Sequence, residues 1–200
     1  WAAPRPSVGQ TRGMDTDVAH LTADELTAGL DEVRRSPTDA GTLEMIVQRP
    51  AVDERVVLTE GRLRAAEGLE GDTWNARGSK RTDDGSPHPD MQLNIINVRL
   101  LRHIARGDEA RMPLAGDQLV VDLDLSEVNL PPWTKLTIGE AVIEITDQPH
   151  LGCAKFSQRF GVAAHRFVNS EVGRELHLRG VNARVVQEGT IRPGDRIDKL

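Results

Sequence analysis

Apolar residues first fall into step at Thr22-Ala-Asp-Glu25, which has capping-box spacing, and at Leu26, Leu30 and Val33, which follow at helical intervals. One amphipathic helix is therefore expected, stopped at Ser36-Pro37. The period then shortens. Leu43 to Val47 and Arg55 to Leu58 are short apolar or β-branched runs bounded by Pro50 and Gly61, and read as strands. Ala65 to Pro89 carries Gly68, Gly71, Gly78 and Gly85 among many charges and few apolar residues, and reads as a long loop.

Gln92 to Val98 predicts a strand feeding a short helix, Leu100 to Ala105, that ends at Gly107. Thr134 to Thr146 gives the clearest local pattern, two β-like runs joined around Gly139-Glu140 as a hairpin. Ala154 to Leu178 turns helical with Phe156, Phe160 and Phe167 as core anchors, and Ala183 to Val186 and Arg196 to Ile197 return to strand. Arg192-Pro193-Gly194-Asp195 fits a type II turn. Many short strands with helices near the start and end predict a mainly β protein with helical additions (α+β), built as a barrel or a strongly twisted sheet.

The chain of 200 residues suffices for one domain, expected over residues 21–200, after a flexible segment over 1–20 that mixes Pro, Gly, Arg and Ser; Met14 is a candidate natural start. A formal net charge of −6 argues against a nucleic-acid partner. No apolar run is long enough to span a bilayer, so no membrane partner is expected. The chain has 1 cysteine, which excludes an internal disulfide, and the expected address is cytoplasmic.

That cysteine carries the candidate chemistry. In Pro149-His150-Leu151-Gly152-Cys153-Ala154-Lys155-Phe156 it stands between the hairpin and a helical stretch. A helix N-terminus and the nearby His150, Lys155 and Arg159 favour a thiolate, the nucleophilic and metal-binding form. The plainer alternative is that an isolated cysteine fills a core as a small apolar side chain. Cationic candidates for an anionic ligand are Lys80 and Arg81 in the long loop, with Arg159, Arg166 and Arg179; each alone is better read as a solvated surface charge, and only as a cluster on an acidic chain do they point to a ligand. Arg179 and Asn182 flank a short strand and are candidates to face a ligand. His150-x-x-Cys153 offers too few ligands for structural zinc, and HExxH, GxSxG, P-loop and GxGxxG patterns do not occur.

With those residues in place, the chain resembles the MOSC family, named for the molybdenum cofactor sulfurase C-terminal domain. The resemblance runs through Ile138 to Thr146, the cysteine loop Pro149 to Phe156, Gly68-Leu69-Glu70-Gly71-Asp72 and the closing Gly194-Asp195, and spans roughly Leu43 to Leu200. It implies a MOSC-type β-barrel and a sulfur-carrier or molybdenum-cofactor-binding role. Cys153 would be metal ligand or persulfide carrier, with His150, Lys155, Arg159, Arg179, Asn182, Lys80 and Arg81 around the cofactor. It further implies reduction of N-hydroxylated compounds, association with pyridoxal phosphate, and a sulfur-donor or electron-transfer protein as partner beside a small-molecule substrate. Two segments depart from the family pattern: Gly116-Asp117-Gln118-Leu119 stands where many bacterial relatives have Gly-Glu-Asn-Leu, and Gly71-Asp72-Thr73-Trp74 where they have Gly-Asp-Arg-His. The alternatives are a non-catalytic module that binds a small anion through its arginines, and a redox-sensing thiol with no cofactor.

Overall fold

The computed structural model describes residues 19–200. The leading segment up to residue 18, with Met14, lies outside the described residues.

Helix α1 (Ala23–Ala28) begins where the capping box predicts. The Thr22 hydroxyl accepts from the Glu25 amide at 3.3 Å, and the Glu25 carboxylate accepts from the Thr22 amide at 2.8 Å, so two backbone donors at the helix start are satisfied. The helix breaks at Gly29 and resumes as α2 (Leu30–Arg34). Leu26, Leu30 and Val33 are buried across the break.

The strands are β1 (Gly41–Gln48), β2 (Val56–Leu58), β3 (Gly61–Arg64), β4 (Gly68–Leu69), β5 (Leu93–Asn97), β6 (Leu119–Asp122), β7 (Lys135–Ile138), β8 (Ala141–Ile145), β9 (Val181–Gln187), β10 (Gly189–Ile191) and β11 (Arg196–Lys199). Seven of them form a closed barrel in the order β11-β7-β8-β9-β5-β6-β1, because β1 pairs back onto β11 through Gly41 with Ile197 and Thr42 with Arg196. Strand β2 extends β1, and β10, β3 and β4 make a small separate sheet. The expected mainly β fold with helical additions is the observed one.

Two apolar cores explain the pattern of the strands. Leu93 and Ile95 of β5, and Leu119 and Val121 of β6, fill the barrel interior. Ile96 and Val120, on the opposite faces, pack under the helices with Leu26, Leu101, Phe156 and Phe160. Alternate side chains of a strand point to opposite faces, so a wall covered on both sides reads as continuous apolar sequence rather than alternation. In β1 the register shifts between Leu43 and Met45, which lets Leu43 and Ile46 both reach the interior while Met45 packs against the outer core.

Strands β5 and β6 pair in parallel, which requires a crossover, and α4 (Val98–Ile104) supplies it. Strands β7 and β8 form the expected hairpin, with Ile138 opposite Ala141 and Gly139 at φ 55° in the two-residue loop. A side chain at Gly139 would run into the Asp195 carboxylate, so the hairpin loop abuts the Arg192–Asp195 turn. That turn has Gly194 at φ 94° and is closed by a 3.0 Å bond from the Asp195 amide to the Arg192 carbonyl, as the type II reading requires.

Three expectations need correction. Residues 65–89 are not one loop: they contain β4 and a single helical turn, α3 (Trp74–Arg77), which burial of Leu69 and Trp74 holds down. The stretch 154–178 is not one helix: α5 (Ala154–Val168) is kinked at Gly161 (φ 92°, ψ 160°), and α6 (Glu171–Glu175) restarts with the Ser170 hydroxyl as its cap. Strands β3, β4, β6 and β10 were not anticipated. Among the described residues no helix is long and apolar enough to cross a membrane.

Candidate functional site

Cys153 is the N-cap of α5 and is exposed, with no hydrogen bond from its side chain to the helix start. The alternative of a buried apolar filler is thereby set aside. The loop before it is pinned: the Gly152 amide donates to the Asn169 side-chain oxygen at 2.9 Å, and the Gly152 carbonyl lies 3.0 Å from His165 Nε2. The thiol is thus presented on a fixed turn of backbone at the positive end of a helix dipole.

Along α5, Lys155 and Arg159 turn toward the β1–β2 connection, where both meet the Asp53 carboxylate, at 2.9 and 2.7 Å. Asp53 is itself exposed, and these cations hold its carboxyl below the usual carboxylate range, the Lys155 hydrogen bond acting most strongly. Arg159 also donates to the Leu114 carbonyl at 2.8 Å. Its guanidinium and that of Arg55 converge over Gly116, a left-handed residue (φ 87°) where a Cβ would lie 3.3 Å from Arg55 Nη2 and 3.8 Å from Arg159 Nη1. Arg55 Nε is buried with no partner, and burial followed by repulsion from Arg159 and Arg49 lowers the Arg55 pKa to about 10.

Beneath this layer lies a buried network. Arg49 forms a two-pronged pair with Asp72, Nε to Oδ2 and Nη2 to Oδ1, both 2.8 Å, and Nη1 donates to Asn94 Oδ1 at 3.0 Å and the Gly116 carbonyl at 2.8 Å. Arg179 Nη1 donates to both Asp117 oxygens at 2.8 Å and stacks over the Phe156 ring at 5.0 Å, while its buried Nε has no partner. Burial pushes the Asp117 carboxyl up from its ordinary range, opposed by Arg179, Arg49 and Arg55. Gln118 and Asn94 tie the layer together, the Asn94 amide donating to Gln118 Oε1 at 2.8 Å. Of the two segments that depart from the family pattern, the first uses its changed acid, Asp117, to anchor Arg179, and the second keeps its Asp72, which anchors Arg49.

Five cations, Arg49, Arg55, Lys155, Arg159 and Arg179, thus gather around three carboxylates, Asp53, Asp72 and Asp117. This is a locally positive cluster on an acidic chain, and guanidinium and ammonium groups of this kind can pair with a group of negative charge.

The sequence-predicted residues divide. Cys153, Lys155, Arg159 and Arg179 come together on or against α5. His150 lies beside them, its Nδ1 3.5 Å from Asp117, but it adds no positive charge: burial, then Arg179, Arg49 and Arg81, drive its pKa well below the ordinary histidine value. Asn182 is fully buried, with its oxygen accepting from Asn94 at 2.7 Å and its amide donating to the Gln148 carbonyl at 3.0 Å, so it holds the framework and faces no ligand. Arg81 is exposed and reaches Gln148 at 3.5 Å, Lys80 is exposed on the same loop, and Arg166 is exposed on α5. Arg49, Arg55 and Asn94 were not anticipated; the only prior signals nearby were the Gly-Asp steps at Gly71-Asp72 and Gly116-Asp117.

With this geometry in place, comparison with known proteins is informative. The family model of the MOSC domain matches residues 82–198. The chain belongs to the MOSC domain family. Among solved structures, the YUAD protein from Bacillus subtilis superposes with a TM-score of 0.57 at 14% identity, covering 80% of this chain and 95% of that one. YiiM from Escherichia coli superposes with a TM-score of 0.52 at 21% identity, covering 80% and 69%. At such identities the likeness establishes the fold of this MOSC protein, a barrel of the same type, and nothing of its chemistry. No curated protein matches the MOSC chain by sequence.

Proposed function

We propose that this protein is a single MOSC domain over residues 21–200 that binds a molybdenum cofactor, with Cys153 as the soft thiolate ligand and the arginine cluster as the seat of the cofactor's anionic group. The observation that carries this reading is the pairing of an exposed thiol at the start of α5 with buried guanidinium nitrogens of Arg55 and Arg179 that have no protein partner. Buried donors left unpaired cost about 1–3 kcal/mol each, so their retention fits a site completed by an acceptor-rich ligand.

The residues present fit such a group. Thiolate sulfur is a soft ligand suited to molybdenum, and arginine forks match phosphate oxygens in pairs. Arg55 and Arg159 would hold the anionic tail beside Gly116, where the missing Cβ leaves the approach open. Lys155 and Arg159 would exchange their Asp53 contact for the ligand. Arg179 stays locked to Asp117 and presents only its remaining edge. When bound, the cofactor supplies a two-electron redox centre, and reduction of N-hydroxylated compounds with a separate electron-transfer protein in the cytoplasm is the activity we assign to it.

Elemental analysis of protein from a molybdenum-replete host tests the reading. Near-stoichiometric molybdenum is expected, with loss in Cys153→Ser and in the Arg55→Ala, Arg159→Ala double variant. Metal-free protein that releases labile sulfur on cyanide treatment would replace the ligand role by a persulfide-carrier role fed by a sulfur-donor protein. The excess of cations favours a second reading, a small-anion module: phosphate binding that survives Cys153→Ser in metal-free, sulfur-free protein would select it.

A further inference from the structure

A cavity of about 420 Å³ is lined by the end of β8, the 147–151 segment and the α5–α6 corner, and none of Arg49, Arg55, Arg159 and Arg179 lines it. Its walls are largely apolar, with Leu130, Ile145, Leu151, Val168 and Val181 among them, and Cys153 is not one of its lining residues. Two histidines also line it. His150 is held neutral by burial and the neighbouring arginines, and its buried Nδ1 has no hydrogen-bond partner. His177 has Nδ1 2.6 Å from the Leu125 carbonyl; a carbonyl only accepts, so the proton sits on Nδ1 and Nε2 is an acceptor in the neutral ring. The charges of the lining, Glu127, Asp147 and Arg174, are exposed at the rim.

We propose that this cavity is a binding site for an uncharged, roughly bicyclic aromatic molecule bearing one N–H or O–H donor, separate from the anion-binding cluster. The volume and wall chemistry suit a ligand of about ten heavy atoms, since small-molecule sites of about 300–1,000 Å³ combine apolar walls with a few placed polar groups. The charged side chains of the lining, Glu127, Asp147 and Arg174, are all exposed, so the body of a ligand enclosed by the apolar walls is best uncharged. The imidazoles provide the polar recognition, with His177 as acceptor for the ligand's donor.

Indole is the probe, with 1-methylindole as its counterpart lacking the donor. In amide-resolved NMR titrations of the full chain, indole is expected to shift the Gly173, Gly180 and Val181 signals saturably, with Kd on the order of 0.1–1 mM for so small a ligand. Binding of 1-methylindole should be about tenfold weaker, the equivalent of one hydrogen bond. Leu151→Trp, at a position already 45% exposed, should fill the cavity mouth and abolish binding while the remaining spectrum stays native. Cys153→Ser should bind indole as the parent does, whatever becomes of the molybdenum reading. Scattered or absent shifts, equal binding of the two indoles, or undiminished binding by folded Leu151→Trp would overturn the proposal.

Discussion

The two layers of charge around Cys153 are built in opposite ways. In the inner layer, Arg49–Asp72 and Arg179–Asp117 join side chains no more than 6% exposed, and every oxygen of the two carboxylates is engaged. In the outer layer, Lys155 and Arg159 share one Asp53 carboxylate that is 60% exposed. A buried pair is strongly costly to break because the survivor is stranded without solvent, whereas an exposed pair exchanges with water and salt at little cost. The inner charges therefore shape the barrel mouth, and the outer charges are the ones free to change partners when an anion arrives.

The largest effect should come from the inner layer. Asp72→Ala leaves Arg49 buried with no carboxylate and is expected to destabilise the fold by about 3–5 kcal/mol, read as a lowered denaturant midpoint. A midpoint within error of the parent would erase the distinction between the layers.

Next comes acidification. His150 is neutral in the fold with a pKa below its unfolded value of about 6.5, so its contribution to stability is present above that value and declines as pH falls below it. The decline should approach about 1.4 kcal/mol per pH unit until the folded pKa is reached. Asp117, raised in the fold, acts with the opposite sign at lower pH, so the comparison must be made against His150→Gln, which should flatten the slope just below pH 6.5. Parallel pH profiles for the two proteins would refute this assignment.

The smallest effect on stability belongs to the outer layer. Asp53→Asn keeps a residue tolerant of the left-handed backbone at this position (φ 61°) and removes only the charge. Stability should change by no more than about 0.5 kcal/mol, while phosphate affinity measured by calorimetry should rise several-fold as Lys155 and Arg159 are released. Unchanged phosphate affinity would mean that Asp53 does not compete for these cations.

Much of the barrel was legible where one face of a strand meets water or a turn has demanding chemistry. The hairpin around Gly139, the Pro193-Gly194 turn and the Thr22 cap all follow from local residues. Strand β6 was not legible, because Leu119, Val120 and Val121 are buried on both faces and show no alternation. Strands β3 and β4 are short and rich in Gly and Arg; only Leu63 and Leu69, from a sheet assembled with distant β10, reveal them as core. The site shows the same limit. Cys153 could be found from its flanking loop, but Arg49 looks like any strand-end arginine until Asp72, Asn94 and Gly116 close around it from three other segments. Asn182 misled for the converse reason, since a polar residue beside an arginine signals a ligand or a framework equally well, and only its two filled hydrogen bonds decide.

The pairing of β1 with β11 has a kinetic corollary. This seam joins Gly41 to Ile197, so the last contact that closes the cylinder is also among the most distant along the polypeptide. Loop-closure entropy makes such contacts late, while the β7–β8 hairpin and the parallel β5–α4–β6 unit can assemble from near neighbours. Until the seam zips, the Gly41–Thr42 end of β1 and the facing edge of β11 are unpaired and able to recruit strands from other molecules, which makes the open cylinder the species most prone to aggregate during refolding.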